Sequence, residues 1–204
     1  MPGRFYAGRS AEARRAERRR RLLDSGLALF GEAGYAATSI ERLCASAGVS
    51  TRNFYEEFPS RAALLTTVHD DVSRQLMSAV TTALASAEGE SFDRRIAASA
   101  TAYLTAVASD PRRARLSYVE IVGVGDEVER HRLRWRERWI ALYGAEAQWS
   151  DPGHGDQDVR WGALALLGAV QELGYQWSMS PEGRSLEDVT GQIVRVARCV
   201  LSAP

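Results

Sequence analysis

Between Thr38 and Ser60 the chain spells two helices, each too short to stand alone, separated by a break at Gly48-Val49-Ser50. Isolated helices below about 12 residues are marginal in water, so a neighbouring core must hold this pair. The first helix opens at Thr38-Ser39-Ile40-Glu41, which reads as a capping box with Thr38 as N-cap and Glu41 three residues on. Ile40, Leu43, Cys44 and Ala47 then fall on its inner face. Gly48 suits a positive φ, and Val49 can fill the angle between two helices. Ser50 is a good N-cap for a second helix from Thr51 to about Phe58. Pro59 ends that helix and Ser60 caps the next. Short helix, glycine turn, short helix is the helix-turn-helix pattern, whose second helix enters the major groove of DNA.

Upstream, Arg14, Arg15, Arg18, Arg19, Arg20 and Arg21 lead into Leu22, Gly26, Leu29, Phe30 and Ala33 at helical spacing, and Gly34 supplies a stop. Residues 1–13 lack an apolar period and read as a flexible basic arm. Arginines at a helix start oppose the macrodipole by about 0.3–1 kcal/mol each. The run therefore points to an anionic partner, with a solvated helix face as the plain alternative. Downstream, helical patterns cover 60–87, 93–109, 112–123, 125–148, 157–178 and 186–202, with the clearest loops at Ser150–Gly155 and Ser180–Gly183. No segment alternates with period two. The expected fold is all-α: an N-terminal three-helix helix-turn-helix DNA-binding domain over 14–60, and a C-terminal helical ligand-binding and dimerisation domain over 61–204.

A formal net charge of zero conceals an asymmetry. Residues 1–61 carry 11 arginines against 7 carboxylates, whereas residues 62–204 carry 15 against 19. A polyanion is therefore expected to meet only the first third. A non-specific architectural DNA-binding protein, the alternative reading, would be basic throughout. Every cationic side chain is an arginine, so contacts to nucleic acid must be planar guanidinium contacts. Enzyme signatures are missing: there is no Gly-x-Ser-x-Gly, no His-Glu-x-x-His and no glycine-rich phosphate loop after a strand. Cys44 and Cys199 lie far apart and do not cluster with His69, His131 or His154, so neither a metal nor a cofactor is expected. Both cysteines read as small buried side chains in a reducing compartment. No run approaches the ~18 apolar residues of a membrane span, and none follows the N-terminal arginines as in a secretory signal. A cytoplasmic protein without a membrane partner is expected.

In a helix-turn-helix the first residues of the second helix reach base edges. Here they are Thr51, Arg52 and Asn53. Arg forks onto guanine O6 and N7, Asn onto adenine N6 and N7, and a good pair discriminates by about 1–3 kcal/mol. Thr38, Ser39, Ser50, Tyr55 and Arg61 surround them as phosphate contacts. Phe54 and Phe58 belong in the core, and Glu56 and Glu57 must face away from phosphate. Several blocks stand in fixed register over residues 22–65. They are Leu22-Leu23-Asp24, Leu29-Phe30, Gly34-Tyr35, Ala37-Thr38-Ser39-Ile40, Leu43, Ala47-Gly48-Val49-Ser50, Phe54-Tyr55, Phe58-Pro59-Ser60-Arg61 and Ala63-Leu64-Leu65. In this register the segment, under a quarter of the chain, resembles the tetracycline-repressor (TetR) family of bacterial regulators. The resemblance implies the same division between base readers and phosphate contacts, a phosphate role for Tyr55, and minor-groove or backbone contacts from Arg14, Arg15 and Arg18. Glu56 and Glu57 depart from the family's usual basic or histidine residues. Positions 51–53 vary widely in the family, so no operator sequence is implied.

One helix-turn-helix covers little DNA. Two copies about 34–36 Å apart match a palindrome, so a homodimer on double-stranded operator DNA is expected. Gly162, Leu166, Ala169, Val170 and Leu173 on one helix, with Val189, Ile193, Val196 and Val200 on the last, are the candidate contacts. The resemblance implies that they form a four-helix interface. Trp135, Trp139 and Tyr143 recur at i, i+4 and i+8 on a helix otherwise dense in Arg and Glu. Large aromatics with polar tips suit an apolar pocket. Trp135, Trp139 and Trp161, then Tyr103, Tyr118 and Gln171, are expected to line a site for an unidentified small-molecule effector, flat or apolar, whose binding releases the repressor.

Overall fold

The structure is a computed structural model that describes residues 11–150, 155–179 and 183–201. Among the described residues it holds nine α-helices and no strand: α1 Ala11–Ala33, α2 Ile40–Ala47, α3 Thr51–Glu57, α4 Arg61–Ser86, α5 Phe92–Ala108, α6 Pro111–Arg115, α7 Asp126–Ser150, α8 Asp156–Met179 and α9 Leu186–Leu201. The chain forms two compact units that divide after Val68, inside α4. No helix of the described residues is long and apolar enough to cross a membrane. Parts of both expected loops, residues 151–154 and 180–182, lie outside the described residues, as do residues 1–10 of the expected arm.

The first unit is built on Leu22, Phe30, Leu43, Phe54 and Leu64, all without solvent exposure. α1 starts at Ala11, so the last residues of the expected arm are helical. At Gly26 a Cβ would lie 3.0 Å from Val68 Cγ2, which shows how closely α1 approaches the start of α4. Gly48 closes α2 in the left-handed region, at φ 62° and ψ 43°.

The N-cap is displaced by one residue, and the expected capping box does not form. Ser39, not Thr38, is the N-cap of α2, and its Oγ accepts from Arg42 N at 3.2 Å. The Thr38 hydroxyl is spent on the end of α1, donating to Gly34 O at 2.7 Å and Leu29 O at 3.3 Å. Terminal helix carbonyls need such donors, and Thr38 is fully buried in supplying one. Ser50 caps α3 as expected, accepting from Asn53 N at 3.2 Å.

In the second unit α8 packs on α7 and α9, and α5 on α9. At Gly162 a Cβ would fall 2.1 Å from Val200 O, so α8 and α9 meet backbone to backbone. Arg95 and Glu146 form a buried two-bond pair, both bonds 2.7 Å. Arg95 also donates to Leu84 O and Ala87 O, at 3.2 and 3.1 Å, satisfying carbonyls at the end of α4. The expected single helix over 112–123 is absent. Asp110 caps α6 through Arg112 N, and Leu116–Glu120 then widen into a π-helical turn. Gly123 and Gly125, both at positive φ, follow it.

Candidate nucleic-acid interface and effector cavity

α3 is amphipathic over only seven residues. Phe54 is fully buried, and Phe58 just beyond the helix is 2 % exposed; both face the core of the first unit. Thr51, Arg52 and Tyr55 are exposed and Asn53 is half-buried. The Arg52 side chain is 89 % exposed and makes an i,i+4 pair with Glu56 at 3.2 Å. Tyr55, at 56 %, is not a core residue. Ser39 and Ser50 are exposed beside them at the starts of α2 and α3.

Four expected phosphate and arm contacts are placed differently. Thr38 is buried, with its hydroxyl used inside the fold, so it presents nothing to DNA. Arg61 donates to Thr38 O at 2.5 Å and lays its guanidinium 4.0 Å from the Tyr35 ring, which makes it first a clamp between α4 and the α1–α2 turn. Arg15 and Arg18 converge on the Glu57 carboxylate, at 3.2 and 3.6 Å. Arg19 donates to Glu57 O at 3.1 Å and stacks 4.4 Å from the Phe58 ring. The anionic partner inferred from the basic run is thus found within the chain: Glu57, its carboxylate almost wholly buried. Arg14 is exposed.

In the second unit a cavity of about 300 Å³ is lined by Trp135, Trp139, Tyr103, Tyr118 and Gln171, together with His69, Ser117, Arg132, Arg136 and Glu172. Trp161 is not among them. It stands 63 % exposed on the outer face of α8, while its neighbour Gly162 turns inward against α9. The Tyr103 and Tyr118 hydroxyls bond to each other at 2.7 Å, and burial raises both phenol pKa values, so neither ionises near neutrality. Behind the wall, His69 Nδ1 lies 3.0 Å from His131 Nε2 and 3.3 Å from Ser73 Oγ. Trp135 Nε1 donates to Asp70 Oδ1 at 2.6 Å. Burial, then the neighbouring His131, lowers the His69 pKa to about 3, and burial lowers that of His131. The aromatic spacing on α7 revealed Trp135 and Trp139. His69 and Ser117 carried no comparable signal.

The dimer candidates also divide. Gly162, Leu166, Val170, Val189 and Ile193 are buried within their own chain, as the inner faces of α8 and α9. Ala169, Leu173, Val196 and Val200 remain partly exposed.

The family model for bacterial regulatory proteins of the tetR family matches residues 22–68, which is the described first unit apart from the start of α1. That segment carries the family's N-terminal domain. Comparison with curated proteins gives no significant match. Solved structures share the fold across both units. FadR from Bacillus subtilis, in complex with stearoyl-CoA, superposes with a TM-score of 0.75 at 15 % identity, over 90 % of this chain and 97 % of its own. The fatty acid degradation regulator FadR from Bacillus halodurans gives 0.73 at 14 % identity, over 91 % and 95 %. A tetR-family regulatory protein from Rhodococcus RHA1 gives 0.70 at 18 % identity, over 92 % and 98 %.

Proposed function

We propose that this TetR-family regulator is a repressor that reads a palindromic operator as a homodimer and is released by a small apolar or aromatic effector bound in the second unit. The observation that carries the reading is the outer face of α3, where Thr51, Arg52 and Asn53 stand on a helix fixed from within by Phe54. The exposed Arg52–Glu56 pair is worth about 0–1 kcal/mol, so a guanine edge displaces it at little cost. Ser39, Ser50 and Tyr55 remain the phosphate contacts, with the free edge of Arg61 beside them. FadR of Bacillus subtilis holds stearoyl-CoA. The cavity here, about 300 Å³, stands at the low end of the ~300–1,000 Å³ of small-molecule sites and favours a compact ligand.

Release requires that the effector bind one of two forms of the protein better than the other. Selection of bound DNA from a random pool yields half-site and spacing together. On the selected operator, Arg52→Ala is expected to lose about 1–3 kcal/mol and to relax one base position. Unchanged base preference in that variant would remove Arg52 from the reading. Identical effector affinity with and without operator, measured by calorimetry, would remove the coupling.

A further inference from the structure

We propose that the cavity of the second unit takes a small aromatic carboxylic acid, with its ring among Trp135, Trp139 and Tyr103 and its carboxylate on Arg136. The assignment rests on reading this cavity as the effector site, and names the class of molecule that fills it.

Arg132 and Arg136 line the cavity one turn apart on α7. Arg132 is committed to Glu129 through two bonds, at 2.9 and 2.6 Å. Arg136 is half-buried and, among the described residues, makes no hydrogen bond or ion pair. Its carboxylate neighbours are already engaged. Glu129 holds Arg132, and Glu137 holds Arg160 at 2.8 and 2.9 Å. Glu172, the carboxylate on the cavity wall, accepts from Gln176 Nε2 at 2.9 Å and does not reach Arg136. Glu129 and Glu137 feel the charge of Arg136 but bond elsewhere, so this guanidinium, partly withdrawn from water, keeps its donors for an incoming carboxylate, which it can bind by two charge-assisted bonds.

The rest of the lining sets the body of the ligand. The Trp139 ring meets Tyr103 edge to face at 5.6 Å between centroids and stacks with Tyr143 at 6.2 Å, so it is held rigidly. Such a wall accepts a flat ring. The buried Ser117 Oγ has no partner and also lines the cavity, and the Tyr103–Tyr118 bond uses only one of its two hydroxyl hydrogens. These groups suit a polar substituent on the ring. His69 is neutral at physiological pH and adds no charge. About 300 Å³ fits a one-ring molecule better than a long chain.

The test uses three probes with the same ring and different charge: 4-hydroxyphenylacetate, its primary amide, and tyramine. Titration of the full-length protein by calorimetry and tryptophan fluorescence is expected to show the acid binding about tenfold tighter than either analogue. Arg136→Gln is expected to bring acid and amide within about twofold of each other while leaving amide affinity and the melting temperature unchanged. Equal or tighter binding of the amide or tyramine overturns the proposal. So does an acid preference that survives Arg136→Gln, or the absence of binding by all three at millimolar concentration. Binding of the acid that leaves operator affinity untouched keeps this assignment and instead sinks the effector reading.

Discussion

His69 and His131 share one hydrogen bond in the interior of the second unit, and a bond between two imidazoles requires that one of them offer a bare nitrogen. Asp70 lies 3.7 Å from His131 Nε2 and favours a proton there, while Arg132, Arg134 and Arg138 oppose any further positive charge. His131 Nε2–H and the Ser73 hydroxyl then both donate to His69 Nδ1, which fixes the His69 proton on Nε2. The folded-state pKa of His69, about 3, is below that of an unfolded histidine, so the unfolded chain binds more protons between the two values. Stability therefore falls as pH drops through about 6.5, and continues to fall toward 3. Between pH 6.5 and 5 the loss from His69 alone is about 2 kcal/mol. Urea denaturation at the two pH values checks it, and His69→Asn is expected to flatten that slope. None of this was legible in the sequence, where the two histidines stand 62 positions apart. Glu57 is the opposite case. The sequence marked it as a misplaced acid beside DNA and marked the arginines of α1 as wanting an anion; only the fold shows that each answers the other.

At the scale of elements, caps and breaks were readable because they depend on neighbouring residues. Gly48, Ser50 and Pro59 place the ends of α2 and α3 correctly. Thr38 and Ser39 are two adjacent hydroxyls with equal claim to one cap, and the choice was made by the carbonyls at the end of α1, a contact the local pattern does not contain. The π-helical turn at Leu116–Glu120 likewise follows from tertiary packing: it inserts one residue's rotation between α6 and the glycines beyond, and so sets Ser117 and Tyr118 on the cavity wall. Gly162 looked like an intermolecular contact because small residues suit any helix interface. Its true neighbour is the α9 backbone of the same chain. Gly162→Ala is expected to destabilise the protein by about 1–3 kcal/mol or more, read as a lower denaturation midpoint, whereas Gly168→Ala, at a site with open space around it, is expected to leave the midpoint equal or slightly higher.

For the whole molecule, the proposed reading of a palindrome depends on two chains. With the inner faces of α8 and α9 consumed within one chain, the surface left for a second copy is Trp161, Ala165, Ala169 and Leu173 at i, i+4, i+8 and i+12, flanked by Val196 and Val200. A large exposed tryptophan above small residues suits an isologous contact, where each copy's indole meets its partner's shallow groove. Trp161→Arg is expected to shift the protein toward monomer in sedimentation velocity and to weaken operator binding about tenfold or more, with helix content and the affinity of the cavity unchanged. A variant that stays dimeric would move the interface elsewhere. The helix-turn-helix and the all-helical second unit were both evident from patterning. The outward face of α8 was not, because a buried stripe and a dimer stripe look alike until one of them is occupied.

The seven residues of α3 separate two duties by the direction each side chain takes. Phe54 looks inward and keeps the helix in place; Arg52 looks outward and bears none of that burden, while Asn53 is half-buried and Thr51 also touches the buried Cys44. Exchanging Arg52 for another residue should leave the scaffold as it is. Under the proposed reading, target preference at that position is a replaceable part, open to retargeting by a single codon.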